Sequence, residues 1–239
     1  MAAVAGPAYY YPNRMGRIIL QSMKQELGAQ PLQEVLQAVG LEQLQTTLPL
    51  NNFDKRFPFE QVSALQAATE QVFGVRAGRQ RNTRIGRGTL GLGLKDFDPV
   101  LGIADLPLRL MPLGMKFRVG LDVFARVFNQ FTDQVVKLSE GDGFHLWIIE
   151  RCPVCWHRQS DEPCCQLAGG LLEEALFWAS GGRRFKVEET GCVAAGAATC
   201  TFRIDKHPLD CSAEKREIEK EREWSDAAVK TRPWVHRLA

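Results

Sequence analysis

An α+β fold, an antiparallel sheet with helices packed on it, is predicted by two observations. Two pairs of alternating apolar segments flank one helix-period segment in the second half of the chain, and amphipathic stripes fill the first half. The 239 residues suffice for a buried core, and 45% hydrophobic with 24% charged residues excludes wholesale disorder or a fibrous rod. A formal net charge of +2 gives no strongly basic field, so nucleic acid is not an expected partner.

Residues 1–12 are small, aromatic and proline-containing and read as an extended arm. One domain is expected over 13–211. It opens with a helix over 13–28, where Met15, Ile18, Ile19 and Met23 share a face and Gly28 stops the run. Pro31 starts a second helix with Leu32, Val35, Leu36 and Val39 on one side, and Gly40 closes it. Val62, Leu65, Ala68, Val72 and Phe73 predict a third, ended by Gly74.

The stretch 76–93 alternates Arg76, Arg79, Arg81, Arg84 and Arg87 with Gly78, Gly86, Gly88, Gly91 and Gly93. Its arginines are suited to cradling an anion, but the favoured reading is a solvated loop running into a glycine-rich helix start. From 99 to 136 the chain is densely apolar, and Leu121, Phe124, Phe128 and Phe131 form one helical stripe. Leu, Met and Phe gathered around Pro107, Pro112 and Gly114 suit either core or a lipophilic cavity.

Val136 and Leu138, a turn over 140–143, and then Phe144, Leu146 and Ile148 predict a hairpin with one buried face. A helix follows over 167–180, ended by Gly181 and Gly182, and a second hairpin spans 185–189 and 200–204. Residues 212–239 read as a charge-dense helix and tail that carries Trp224 and Trp234.

Six of the seven cysteines fall between Cys152 and Cys200. No signal-peptide pattern opens the chain and no apolar run is long enough to span a membrane. A cytoplasmic location is therefore expected, where disulfides are disfavoured and clustered thiols suggest metal. Cys192 ends one strand of the second hairpin and Cys200 begins its partner; Glu189 shares that strand end, and Cys165 begins the intervening helix. Three thiolates and a carboxylate complete a closed, structural zinc shell. The competing reading is that these are buried small apolar residues. Cys152-Pro153-Val154-Cys155 admits a redox reading or half of a further metal site, and Cys164 is its neighbouring candidate.

The stretch from Cys152 to Ile204, with Cys-Pro-x-Cys, Pro163-x-Cys165, Gly170, Glu189-x-x-Cys192, Gly196 and Cys200 ahead of Phe202, resembles the V4R (4-vinyl reductase) domain family. That resemblance implies a Bet3-like fold and a zinc site made by Cys165, Glu189, Cys192 and Cys200 within 152–204. It further implies an apolar pocket whose shape the zinc holds without doing chemistry. Candidate pocket residues are Phe117, Leu121, Phe124, Phe128, Phe144, Leu146 and Trp147. Cys152, Cys155 and Cys164 are candidates for a second metal or redox site, and Cys211 has no assigned role.

The resemblance implies first an accessory or carrier protein, or a 4-vinyl reductase-like component, of (bacterio)chlorophyll biosynthesis that binds a tetrapyrrole. The alternative is a stand-alone sensor or scaffold that binds aromatic or hydrocarbon ligands and signals to a partner protein through the tail. No strand–GxGxxG–helix unit marks a reductant site, which weighs toward binding over catalysis. His145 and His157 are weaker candidates for a central Mg of a pigment, an iron–sulfur protein is a third reading, and a homodimer is the expected assembly.

Overall fold

The computed structural model describes residues 8–101 and 111–209, the side chains of 95–101 excepted. The predicted tail over 212–239, Cys211 and residues 1–7 of the arm lie outside the described residues. Helix α1 (Asn13–Leu27) ends where Gly28 adopts φ 81°. Helix α2 (Ala29–Gln37) carries Pro31 in its first turn, where a missing N–H breaks no helical bond. The arm is extended but does not remain free: Tyr10–Pro12 forms β1, which pairs antiparallel with β2 (Lys55–Pro58). Helices α3 (Phe59–Phe73), α4 (Val75–Leu101) and α5 (Leu113–Phe131) follow, and α6 (Gln166–Ser180) lies between the two main hairpins.

Those hairpins, β3 (Val136–Gly141) with β4 (Phe144–Ile149) and β5 (Phe185–Gly191) with β6 (Cys200–Pro208), join through β4 and β6. The result is one four-stranded antiparallel sheet of order β3-β4-β6-β5. The expected α+β architecture is thus present, but the buried face of β4 is the opposite one. Register pairs Val136 with Ile149 and Leu138 with Trp147, so even-numbered residues of β3 share a face with odd-numbered residues of β4. His145, Trp147 and Ile149 point into the core beside Phe202 and Ile204. Phe144, Leu146 and Ile148 lie on the outer face, where Arg203 stacks over the Phe144 ring at 4.5 Å. Both faces of β4 are apolar, so hydrophobicity alone conceals which is inside.

The larger correction concerns 76–93, which is continuous helix rather than loop. Its glycines serve close packing. A Cβ at Gly78 would sit 2.4 Å from the Glu70 Cα of α3, one at Gly86 2.2 Å from the Leu167 carbonyl of α6, and one at Gly88 2.5 Å from Ser22 Oγ of α1. Gly170 of α6 answers from the other side, its Cβ position lying 2.0 Å from the Thr83 carbonyl. Intrinsic propensity disfavours glycine in a helix by about 1 kcal/mol each, and here tertiary packing overrides it. Four of the five arginines are held in ion pairs rather than gathered around a common anion site. Arg79 pairs with Glu70 and Glu162, Arg84 and Arg81 with Glu26, and Arg87 with Glu173 at 2.9 Å.

Candidate metal centre and apolar cavity

The connection from β4 to α6 carries Cys152, Cys155, Cys164 and Cys165. Aromatic packing seats this loop: Tyr9 meets Trp156 edge-on at 5.2 Å, Phe59 meets it at 5.9 Å, and Trp156 Nε1 donates to Glu60 at 3.0 Å. His157 ends the turn at φ 57° and is exposed, and the Arg158 N–H donates to the Cys155 carbonyl. Arg158 then turns inward to Glu70, which also faces Arg79, so one buried carboxylate ties α3, α4 and the cysteine loop together.

Cys165 is the residue immediately before α6, and its carbonyl accepts from the N–H groups of Ala168 and Gly169. The β4–β6 register sets Cys200 opposite Ile149, bringing it beneath the cysteine loop. Cys192 leaves β5 through a 3-10 turn whose Gly196 has φ 90°, and its carbonyl accepts from Ala195 and Ala197. The Val193 N–H points at Cys200 Sγ from 3.3 Å, a donor that favours thiolate. All six described cysteines are free and buried.

Two ligand sets form, each with its four ligand atoms within 4.8 Å of one another: Cys165, Glu189, Cys192 and Cys200, and Cys152, Cys155, Cys165 and Cys200. This cluster can hold a metal ion. Cys164 is in neither set; it lies 3.9 Å from Cys192, and although contact with Cys165 lowers its thiol pKa, Cys192 and burial together outweigh this and push it up to about 12. Glu189 tests the fit independently. One carboxylate oxygen accepts from the Cys165 N–H at 2.8 Å, while the other is buried with no hydrogen-bond partner. Burial pushes the Glu189 carboxyl up to about 8. An orphaned oxygen beside buried sulfurs is the ligand a cation needs, and a cation would restore the charged form.

Of the candidate pocket residues, Phe124 and Phe128 line an apolar cavity of about 60 Å³. They share it with Met15 of α1, Thr89, Leu90, Gly93 and Leu94 of α4, Val123 and Val127 of α5, and Leu171 of α6. The α4 contribution was not foreseen, because 76–93 did not read as helix. Phe117 and Trp147 instead pack in the core. Leu121 borders a second, larger groove of about 500 Å³ between α5 and the β3–β4 hairpin, with Arg118, Asp122, Leu138, Glu140 and His145. Phe144 and Leu146 border neither cavity. His145 stacks on Phe117 and is held below its ordinary pKa by burial, and Glu140 is anchored by Lys206.

The family expected from the cysteine motifs is found where they lie: residues 147–206 match the V4R domain, a segment holding every described cysteine and Glu189. Among curated proteins none matches the chain. In structure, an Fe(II) unliganded H-NOX protein mutant from K. algicida matches with 10% identity and a TM-score of 0.52, over 84% of this chain and 97% of that one. An H-NOX protein from S. oneidensis matches with 11% identity and a TM-score of 0.51, over 83% and 99%. A trafficking protein particle complex subunit 3 from Naegleria fowleri gives 13% identity and a TM-score of 0.43, over 63% and 96%. For the two H-NOX proteins, at these identities, the likeness is one of fold alone. No helix among the described residues is long and apolar enough to cross a membrane.

Proposed function

From a V4R segment that carries the whole cysteine cluster, we propose that this protein is a binding module for a small apolar molecule. A structural zinc, held by Cys165, Glu189, Cys192 and Cys200, keeps its pocket in shape. The observation that carries this reading is the path of α6: Cys165 immediately precedes it, and Leu171 on the same helix lines the apolar cavity. With all four ligands supplied by the protein, a bound zinc would join the loop, the helix start and the second hairpin. The residues of the chain do the rest. Gly86 and Gly170 let α6 pack closely on α4, and so place Leu171 at the cavity that Leu90 and Phe128 also line.

Cavity size narrows the ligand. About 60 Å³ is well below the roughly 150 Å³ that accepts benzene. A single ring or short hydrocarbon chain needs the least widening of such a cavity, which favours the sensor or scaffold that binds small aromatic or hydrocarbon ligands. A tetrapyrrole is the second reading, favoured by the groove of about 500 Å³ beside His145, which falls in the range of cofactor sites. A role in (bacterio)chlorophyll biosynthesis rests on that second reading.

Fluorescence binding assays on the full chain with phenol, a medium-chain alkane reporter and a chlorophyllide separate the two. The expected result is binding of the small hydrocarbons that falls at least tenfold in Gly93→Leu, whose side chain enters the cavity. Undiminished binding in that variant would sink the cavity assignment. Chlorophyllide binding lost in His145→Ala but kept in Gly93→Leu would establish the groove instead.

A further inference from the structure

The two ligand sets share an edge. Cys165 and Cys200 belong to both, 3.7 Å apart. On one side of that edge stand Cys152, 3.6 Å from Cys165, and Cys155, 3.3 Å from Cys200. On the other stand Cys192, 3.7 Å from Cys165, and Glu189 with its orphaned oxygen. Two thiolates on one tetrahedral zinc, with Zn–S near 2.3 Å, lie roughly 3.8 Å apart. The shared edge and the Cys152–Cys165 and Cys165–Cys192 spacings match that value, and Cys155 stands somewhat closer to Cys200.

We propose that the centre is binuclear: one divalent ion bound by Cys152, Cys155, Cys165 and Cys200, a second by Cys165, Cys200, Cys192 and Glu189, with Cys165 and Cys200 bridging. The second ion rests on the site argued above; the ion at Cys152 and Cys155 is the addition. Charge supports the pair. Five thiolates and one carboxylate carry six negative charges, two divalent ions carry four positive, and the remainder is two per pair of ions. A single closed shell of three thiolates and Glu189 leaves the same two charges on one ion, with Cys152 and Cys155 pressed against its bridging sulfurs as unused thiols. Each bridging thiolate shared by two cations is better neutralised in an interior where unpaired charge is costly. Arg158, whose charge interacts with Cys164 and Cys165, offsets some of what remains. An iron–sulfur cubane is disfavoured by the same distances, since it sets each thiolate on its own iron with sulfide between and leaves no cysteine sulfurs in contact.

Native mass spectrometry and elemental analysis of the full-length protein loaded with zinc give the count, and ¹¹³Cd NMR of the cadmium form gives the ligands. Two ions per chain are expected. The cadmium spectrum should hold two signals coupled through the shared sulfurs, one in the four-sulfur range and one shifted by the carboxylate oxygen. Cys152→Ser/Cys155→Ser should retain one ion and the shifted signal. One ion per chain in the unmodified protein overturns the binuclear centre while leaving a single site standing, and no bound metal overturns both. The cadmium spectrum of the unmodified protein decides the matter even if the double variant fails to fold.

Discussion

Along α4, a Cβ at Gly78 or Gly86 would strike the backbone of α3 or α6 within 2.4 Å, whereas at Gly91 and Gly93 it would meet nothing within 4 Å among the described residues. The first half of the helix passes the side of the molecule that carries the cysteines, where backbone contact, the Glu70 ion pairs and the thiol cluster fix every element several times over. The second half borders the apolar cavity, where side chains such as Leu90, Phe124 and Phe128 meet around unfilled space. The same residue type marks rigidity in one place and room in the other. A protein that must hold a shape and still admit a ligand needs both, and here they are separated by about two helical turns.

Metal removal probes that contrast most strongly. Structural zinc contributes an apparent binding free energy of about 10–16 kcal/mol in small domains, as large as a typical domain's whole stability. A strong chelator should therefore strip hydrogen-exchange protection from α6 and β6 well before α1; equal protection with and without chelator would remove the distinction between the two regions. Next in size, Gly170→Ala drives a methyl against the Thr83 carbonyl and must push the α4 and α6 backbones apart. A loss of about 1–3 kcal/mol or more is expected by thermal or urea unfolding, and an unchanged midpoint would show that the helices do not meet this closely.

Gly91→Ala should do the reverse, gaining about 0.5–1 kcal/mol because the new methyl enters open space and the unfolded chain loses freedom. A destabilised Gly91→Ala would mean that this half of α4 is as tightly packed as the other. The smallest effect concerns His145, faced by Phe117, Glu140, Lys206 and Arg118. Burial lowers its pKa from 6.5, Glu140 opposes, and Lys206 and Arg118 add to the lowering. Below pH 6.5 the unfolded chain takes up a proton that the folded state resists, so the stability held by the neutral ring is lost as pH falls through the folded value. His145→Asn should flatten that slope in acid unfolding curves.

Much of the thiol cluster was legible because its signals are local. Cys152-x-x-Cys155, Glu189-x-x-Cys192 and the hairpin spacing from Cys192 to Cys200 each place ligands at one strand or loop end. What was not legible is that Cys152 and Cys155 adjoin Cys165 and Cys200, since this depends on the β4–β6 pairing of Ile149 with Cys200. The choice between Cys164 and Cys165 likewise needed the backbone, which gives Cys165 the helix start and turns Cys164 out of both ligand sets. Helix α4 escaped because its glycines and arginines read as a loop until α1, α3 and α6 are present to pack on them. The inner face of β4 escaped because Phe144, Leu146 and Ile148 are as apolar as Trp147 and Ile149.

The sequence by itself determined the α+β class, most helix limits, the pair of hairpins and the thiol-rich motifs of a V4R segment, because periodicity, turn glycines and ligand spacing act over a few residues. Tertiary structure alone decided where the cavity lies, which face of the sheet is inside, and how two cysteine sets share an edge. Those outcomes depend on contacts between residues far apart in the chain, such as Gly86 with Leu167 and Ile149 with Cys200, and no local preference encodes them.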